Sequence, residues 1–299
     1  MLVEVGDLVA LAAALGWAGT TVLARYISRA IPALWYNALR IAIAALAMLA
    51  ASPWTLGRAD LANVSALALG LLFASVLTGF AVGDTAFFEA MRRIGVARAA
   101  PVAGSHPLVT ALLAVAFLGE PVTLGLLLGI VVIGVGVWLI TTDRVVPPAG
   151  GGIVGGEMLI GVTLALVAAV GWATSTVMVR PALREVDPIV ASTIRLPFAT
   201  IVLTLAALRL RRIDSRRLDL KPAMTAWLIF AGLMTVASAT LFLWSVELAG
   251  AARTAALSSV SPIFSATIAI LLLGEQLTPR LALGMAISLM GVLAIVLGG

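Results

Sequence analysis

The sequence predicts an all-α membrane protein with ten transmembrane helices arranged as two inverted five-helix repeats. Three observations predict it. Of the 299 residues, 62% are apolar and only 11% charged, with a mean hydropathy of +1.15, whereas a soluble domain carries about 45–50% apolar and about 25% charged residues. The apolar residues fall in runs long enough for a ~30 Å hydrocarbon layer, which takes roughly 20 residues per helix. Runs such as Leu108 to Leu118 and Leu124 to Ile140 stay apolar throughout, which excludes a barrel of alternating strands. Finally, the second half of the chain repeats the first at a shift of 155 positions, and a repeat of five spans must enter the bilayer from the side opposite to its twin.

In order, apolar windows place spans at Val5 to Ile27, Ala33 to Ala51, Val64 to Met91, Gly95 to Leu118 and Val122 to Ile140. The second set runs Glu157 to Val179, Pro188 to Leu208, Pro222 to Glu247, Gly250 to Leu273 and Pro279 to Leu297. The first span has Glu4 and Asp7 at its start and no Lys or Arg until Arg25, so it reads as a retained helix rather than a cleaved signal. The repeats are assigned to residues 1–142 and 157–299. Residues 143–156, with Pro147, Pro148 and Gly150 to Gly152, form a breaker-rich linker.

The repeat is specific. Gly16-Trp17-Ala18 falls on Gly171-Trp172-Ala173, Arg25 on Arg180, Arg40 on Arg195, Arg98 on Arg253, Pro107 on Pro262, and Gly119-Glu120 on Gly274-Glu275. Matching Arg, Trp, Pro and Glu does not arise from two unrelated apolar strings.

The absence of Cys excludes disulfides and thiolate metal sites, and a single His leaves no imidazole cluster. No Gly-x-x-x-x-Gly-Lys-Ser/Thr loop is present to bind a nucleotide. No cofactor or metal is therefore expected. The net charge of +5 and the basic pI come from Arg and Lys in short loops beside the spans, which orients the chain rather than binding nucleic acid. With the first helix starting outside, the inner side holds Arg25, Arg29, Arg92, Arg93, Arg98, Arg144, Arg209, Arg211, Arg212, Arg216, Arg217, Lys221 and Arg280, and the outer side only Arg58, Arg180, Arg184 and Arg253. Both termini are expected to be periplasmic.

Two five-helix halves, a Gly-Trp in the first helix of each, and Leu-Gly-Glu closing each fourth helix (Leu118-Gly119-Glu120, Leu273-Gly274-Glu275) before a Gly-rich fifth resemble the EamA transporters of the drug/metabolite transporter superfamily. The resemblance covers nearly the whole chain and is similar in length and form to YddG-like amino-acid exporters. It implies a carrier in the bacterial inner membrane that exports amino acids or other small metabolites. Its expected partners are a small-molecule substrate and the lipid bilayer, and a monomer suffices.

Polar groups at membrane depth are functional candidates. His106 precedes Pro107, and its repeat partner Ser261 precedes Pro262; each proline frees a carbonyl one turn earlier and breaks the helix, as at carrier binding sites. Trp17 and Trp172 lie in mid-helix, away from the interfacial belt, and are candidates to line a central cavity, with helix packing as the alternative. Thr78, Ser258 and Ser261 offer hydroxyls, and Ser259, Ser105 and Asn37 are weaker candidates. Arg40 is expected to pair with Asp84 or Glu89, while Arg195 and Glu247 fall toward the outer side, where structural pairing is expected. Asp84 aligns with Ala239, so this unduplicated acid is a candidate to carry a proton or meet a substrate ammonium.

Two rivals are weaker. A small-multidrug cation exchanger needs a carboxylate in its first helix, and Val9 to Leu23 has none, although neutral drugs or metabolites remain an alternative cargo. An intramembrane enzyme needs a nucleophile facing a base, and Ser105 and His106 project about 100° apart on a helix. The orientation has a direct test: alkaline phosphatase fused after Gly299 is expected to be active, and an inactive fusion overturns the assignment.

Overall fold

The protein was analysed as a computed structural model, which describes residues 2–27, 31–55, 64–94, 99, 102–121, 123–141, 155–209, 222–261, 263–264, 267–268, 271 and 278–297. Every regular element among these residues is helical. The helices are α1 (Leu2–Ile27), α2 (Ala33–Thr55), α3 (Ala66–Val76), α4 (Thr85–Ile94), α5 (His106–Leu118), α6 (Leu124–Thr141), α7 (Gly155–Ala182), α8 (Pro188–Arg209), α9 (Pro222–Ala249), α10 (Ala251–Ser258) and α11 (Pro279–Leu297). Among the described residues, six stretches are long and apolar enough to cross a membrane: 4–24, 33–54, 66–94, 156–182, 188–209 and 222–249. His106–Leu118, Leu124–Leu139 and Ala282–Ile295 are shorter apolar helices.

The third span is not a uniform α-helix. Between α3 and α4 the chain widens into a π segment, Leu77–Asp84, a form that recurs at functional sites. At its start α3 is capped by Ser65, whose Oγ accepts from the Ala68 amide at 3.1 Å. The fourth span breaks at Gly104–Ser105. Pro107 has no N–H for the carbonyl of Ala103, and the chain substitutes tighter three-residue bonds, Ser105 N to Val102 O (3.2 Å) and Leu108 N to Ser105 O (3.0 Å). The repeat-related positions do the same: Val260 N donates to Leu257 O (3.4 Å) and Ile263 N to Val260 O (2.8 Å). Pro262 itself lies outside the described residues.

Small residues set the helix contacts. A Cβ on Gly129 of α6 would lie 2.2 Å from Ile295 Cγ1 and 2.8 Å from the Gly291 carbonyl, and one on Gly136 would meet the Gly284 carbonyl at 2.6 Å. Position numbers rise along α6 as they fall along α11, so these two helices, which are repeat mates, run antiparallel. Along α1 and α9 the same holds, with Gly6 against Leu248 and Ala249, and Gly16 against Ser238. It holds again where the third span meets α7, with Gly79 against Ser175 and Gly83 against Trp172. The positions equivalent to Gly16 and Ser238 are Gly171 and Gly83, and these also touch. Buried apolar clusters fill the spaces between, around Ile133, Leu257 and Ile295, around Ile41, Leu196 and Leu203, and around Leu72, Val179 and Leu243. Large apolar side chains such as Leu112, Val131, Leu205 and Met290 are exposed, the expected outer face of a protein solvated by lipid.

The Leu-Gly-Glu motif has a structural cause. Gly119 takes a left-handed conformation (φ 65°), which ends α5 and is costly for residues with a Cβ. The turn sends the Glu120 carboxylate to the start of α10 in the other half, where it accepts from the amides of Ala251 (2.9 Å) and Ala252 (3.1 Å). Those amides have no partner within their own helix. Gly250, at φ 86°, has the Glu120 carboxylate within 3.1 Å of the place a Cβ would occupy. Gly274 and Glu275 lie outside the described residues.

These contacts generate a paired test on one helix. Gly136→Val is expected to destabilise the purified protein by the roughly 1–3 kcal/mol typical of overpacking, read as a lower apparent melting temperature. Gly134→Val, where a Cβ meets nothing within 4 Å, is expected to leave it unchanged. Equal melting temperatures for both would refute the α6·α11 seam.

Candidate functional site

The π segment delivers Asp84 into the interior, and three other elements, α2, α7 and α9, supply what surrounds it. The nearest is α2, on which Asn37 and Arg40 lie one turn apart and share a face. Arg40 is 3% exposed; its Nη2 donates to Asp84 Oδ2 at 2.5 Å and to Asn37 Oδ1 at 2.8 Å, and its Nη1 to Thr235 Oγ1 of α9 at 3.2 Å. The other carboxylate oxygen of Asp84 accepts from the indole Nε1 of Trp172 on α7 at 2.8 Å. Asn37 is fully buried and spends its amide on the Phe80 carbonyl of the π segment (2.8 Å) and on Thr85 Oγ1 (3.1 Å). An ion pair in a bilayer survives only when its remaining hydrogen-bonding capacity is met, and Asn37, Thr235 and Trp172 meet much of it.

Trp172 also joins the cluster to the break in the fourth span. Its ring meets His106 edge-on, centroids 5.7 Å apart, and Phe87 at 5.1 Å. Nδ1 of His106 is buried without a hydrogen-bond partner. The aromatic contact is duplicated in the other half: Trp17 packs on Phe242 at 5.0 Å, and Phe242 aligns with Phe87 as Trp172 does with Trp17. Trp17, Asp84, His106 and Trp172 are all partly exposed.

Arg195 takes the position equivalent to Arg40 with different company. Its Nε donates to Ser75 Oγ (3.0 Å) and its Nη2 to Ser175 Oγ (3.3 Å), and its guanidinium lies 5.3 Å from the centroid of Phe80. The expected pairing with Glu247 does not form. Glu247 sits near the end of α9, where its backbone carbonyl accepts from Arg180 at 2.9 Å, too far along the helix for Arg195. Nor does Glu89 reach Arg40: it is held by Arg92 (2.8 and 2.5 Å) and Arg93 (2.8 Å), and Arg93 bridges on to Glu157 at 2.8 Å.

The hydroxyl candidates divide. Ser258 and Ser259 are buried and donate to carbonyls of their own helix, Ala255 (3.2 Å) and Ala256 (2.7 Å). Ser261 is partly exposed at the break. Thr78 donates to Ala74 O at 3.1 Å and lines an apolar groove of ≈ 400 Å³ with Val82, Leu166, Val170 and Thr174, whose exposed apolar residues turn toward lipid. The Thr78 hydroxyl is spent on carbonyls of its own helix, Ala74 and Ser75. Among the described residues no group of acids and His could hold a metal.

The sequence reading missed the residues that surround the charges: Ser75, Ser175, Thr235, Phe87 and Phe242. The pairing of Phe87 with Phe242 was visible in the repeat alignment. The hydroxyls were not, since Ser and Thr are common in membrane helices for packing alone.

A sequence model of the EamA-like transporter family matches residues 4–142 and 159–297. An uncharacterized transporter of Archaeoglobus fulgidus is 24% identical over 227 residues, 76% of each chain. The uncharacterized transporter YvbV of Bacillus subtilis is 29% identical over 138 residues, 46% of this chain and 45% of its own. One solved crystal structure superposes with a TM-score of 0.78 at 20% identity, covering 98% of this chain and 96% of that one, a likeness of fold.

Removing one member of the buried pair isolates the other charge. Asp84→Asn is expected to destabilise by about 3–5 kcal/mol, read as an apparent melting temperature in detergent, while Arg40→Met together with Asp84→Leu is expected to recover most of that loss. If Asp84→Asn melts like the parent, the pair holds nothing.

Proposed function

Because the chain belongs to the EamA-like transporter family, we propose that it is a secondary carrier of the bacterial inner membrane that exports small metabolites, foremost amino acids with aromatic or neutral side chains. Two inverted five-helix repeats, residues 1–142 and 157–299, exchange conformations about the site between them, and both termini lie in the periplasm. The observation that carries this reading is the duplicated tryptophan pair, Trp17 on Phe242 and Trp172 on Phe87, set beside the Arg40–Asp84 ion pair. Aromatic faces suit an apolar or aromatic side chain, and a fixed carboxylate and guanidiniums suit the two charges of a zwitterion.

The inverted arrangement is supported by the antiparallel packing of the repeat mates α6 and α11 and by the matched breaks at Ser105 and Val260. A broken helix at mid-depth lets a half-span tilt without unravelling the other half, which is the motion alternating access requires. His106 stands at one break, against Trp172. Asp84 is the acid placed to carry a proton or to receive an ammonium, since Trp172 and Arg40 each bind one of its oxygens and it remains partly open.

The test is counterflow of labelled amino acids in liposomes, with and without a pH gradient. Phenylalanine, tryptophan and leucine are expected to exchange. Trp172→Ala is expected to reduce flux by roughly tenfold, equivalent to about 1.4 kcal/mol, with unchanged membrane insertion; His106→Ala is expected to reduce it as well. Movement of neutral dyes with no movement of amino acids would assign the chain to multidrug or neutral-metabolite transport instead.

A further inference from the structure

The charges at mid-depth do not balance between the halves. Arg40 has Asp84, but Arg195, 6% exposed, is in ion-pair contact with no carboxylate among the described residues. Its repeat relation to Arg40 shows what differs. The position equivalent to Asp84 is Ala239, and the position equivalent to Thr235, which Arg40 bonds, is Phe80, over which Arg195 lies.

Arg195 is nevertheless held firmly. Ser75 Oγ donates to the Leu72 carbonyl at 2.5 Å, and Ser175 Oγ donates to the Ser75 carbonyl at 2.7 Å. Both hydroxyl protons are thus committed, and both oxygens can only accept, from Nε and Nη2 of Arg195. Nη1 makes no hydrogen bond among the described residues. A charge in a bilayer with no carboxylate in contact is costly, and a guanidinium fixed at two nitrogens with one edge unspent is a preorganised fork for a carboxylate.

We propose that Arg195 anchors the carboxylate of the transported substrate, which takes on Arg195 the place Asp84 takes on Arg40. The inference deepens the carrier reading above and rests on it. The substrate class it names is a small organic acid or amino acid with a free carboxylate beside an apolar body, seated toward the Phe80 face of the π segment.

The test measures thermal stabilisation and binding with three carboxylates (benzoate, 3-phenylpropionate, L-phenylalanine) and their carboxamides, on the purified full chain in nanodiscs. The carboxylates are expected to bind about tenfold or more tightly than their amides, since removing one partner of a hydrogen-bonded charge pair costs at least that much. Arg195→Met is expected to abolish the difference, and Arg195→Lys to keep only part of it, because the ammonium keeps charge but loses the fork. Ala239→Asp guards against misfolding of the Met variant: it supplies an internal carboxylate and is expected to suppress carboxylate binding in a stable protein. Equal binding of acids and amides, no binding of either set, or an Arg195→Met protein that binds like the parent would each overturn the proposal. Binding of benzoate and 3-phenylpropionate through Arg195 without phenylalanine would uphold it and sink the amino-acid reading.

Discussion

In hydrocarbon a carboxylate has few ways to exist, and Asp84 uses two at once: a guanidinium on one oxygen and an indole N–H on the other. Arg40 in turn reaches Asn37 and Thr235. Through these bonds a single carboxylate ties α2, the third span, α7 and α9 together. Such a network is stronger the more of its members are satisfied, which explains why Asn37, with no charge of its own, is buried completely and divides its amide between the Phe80 carbonyl and Thr85. The π segment belongs to the same design. By widening the helix it presents the Phe80 carbonyl to Asn37 and Asp84 to Arg40 within one turn and a half, with Gly79 and Gly83 letting α7 approach.

The two halves share a scaffold and differ in their polar content. Tryptophan–phenylalanine contacts, helix breaks and glycine seams recur at matched positions. The arginines recur too, but the acids that pair with Arg40 and Arg253 do not. Asp84 has Ala239 as its counterpart, and Arg253 clasps Asp7 with two bonds (2.7 and 2.8 Å) at a place where α7 carries Val162. Packing that is symmetric preserves the shape of the site, and chemistry that is asymmetric gives the site a polarity.

Much of this was legible in the sequence because hydrophobic length and exact repetition of Arg, Trp and Pro are strong signals. Helix α11 begins and ends where the apolar pattern puts it, and Pro107 marks the break it causes. Side-chain partners were less legible. Arg40 found Asp84 because α2 and the π segment meet at matching depth, but Arg195 and Glu247 form no ion pair, and their separation along different helices was not encoded in hydropathy. The π segment was also invisible, since its sequence, with Thr78, Gly79 and Gly83, differs little from an ordinary membrane helix.

Glu120 has a consequence for assembly. The first half carries its own neutral pair, Arg40 with Asp84. The second half cannot close alone: its opening amides at Ala251 and Ala252 need a carboxylate made more than a hundred residues earlier, and Arg195 leans on Ser75 from the earlier copy. The dependence runs both ways, since Asp84 leans on Trp172 and Arg40 on Thr235, so each copy completes its hydrogen bonding only on the other.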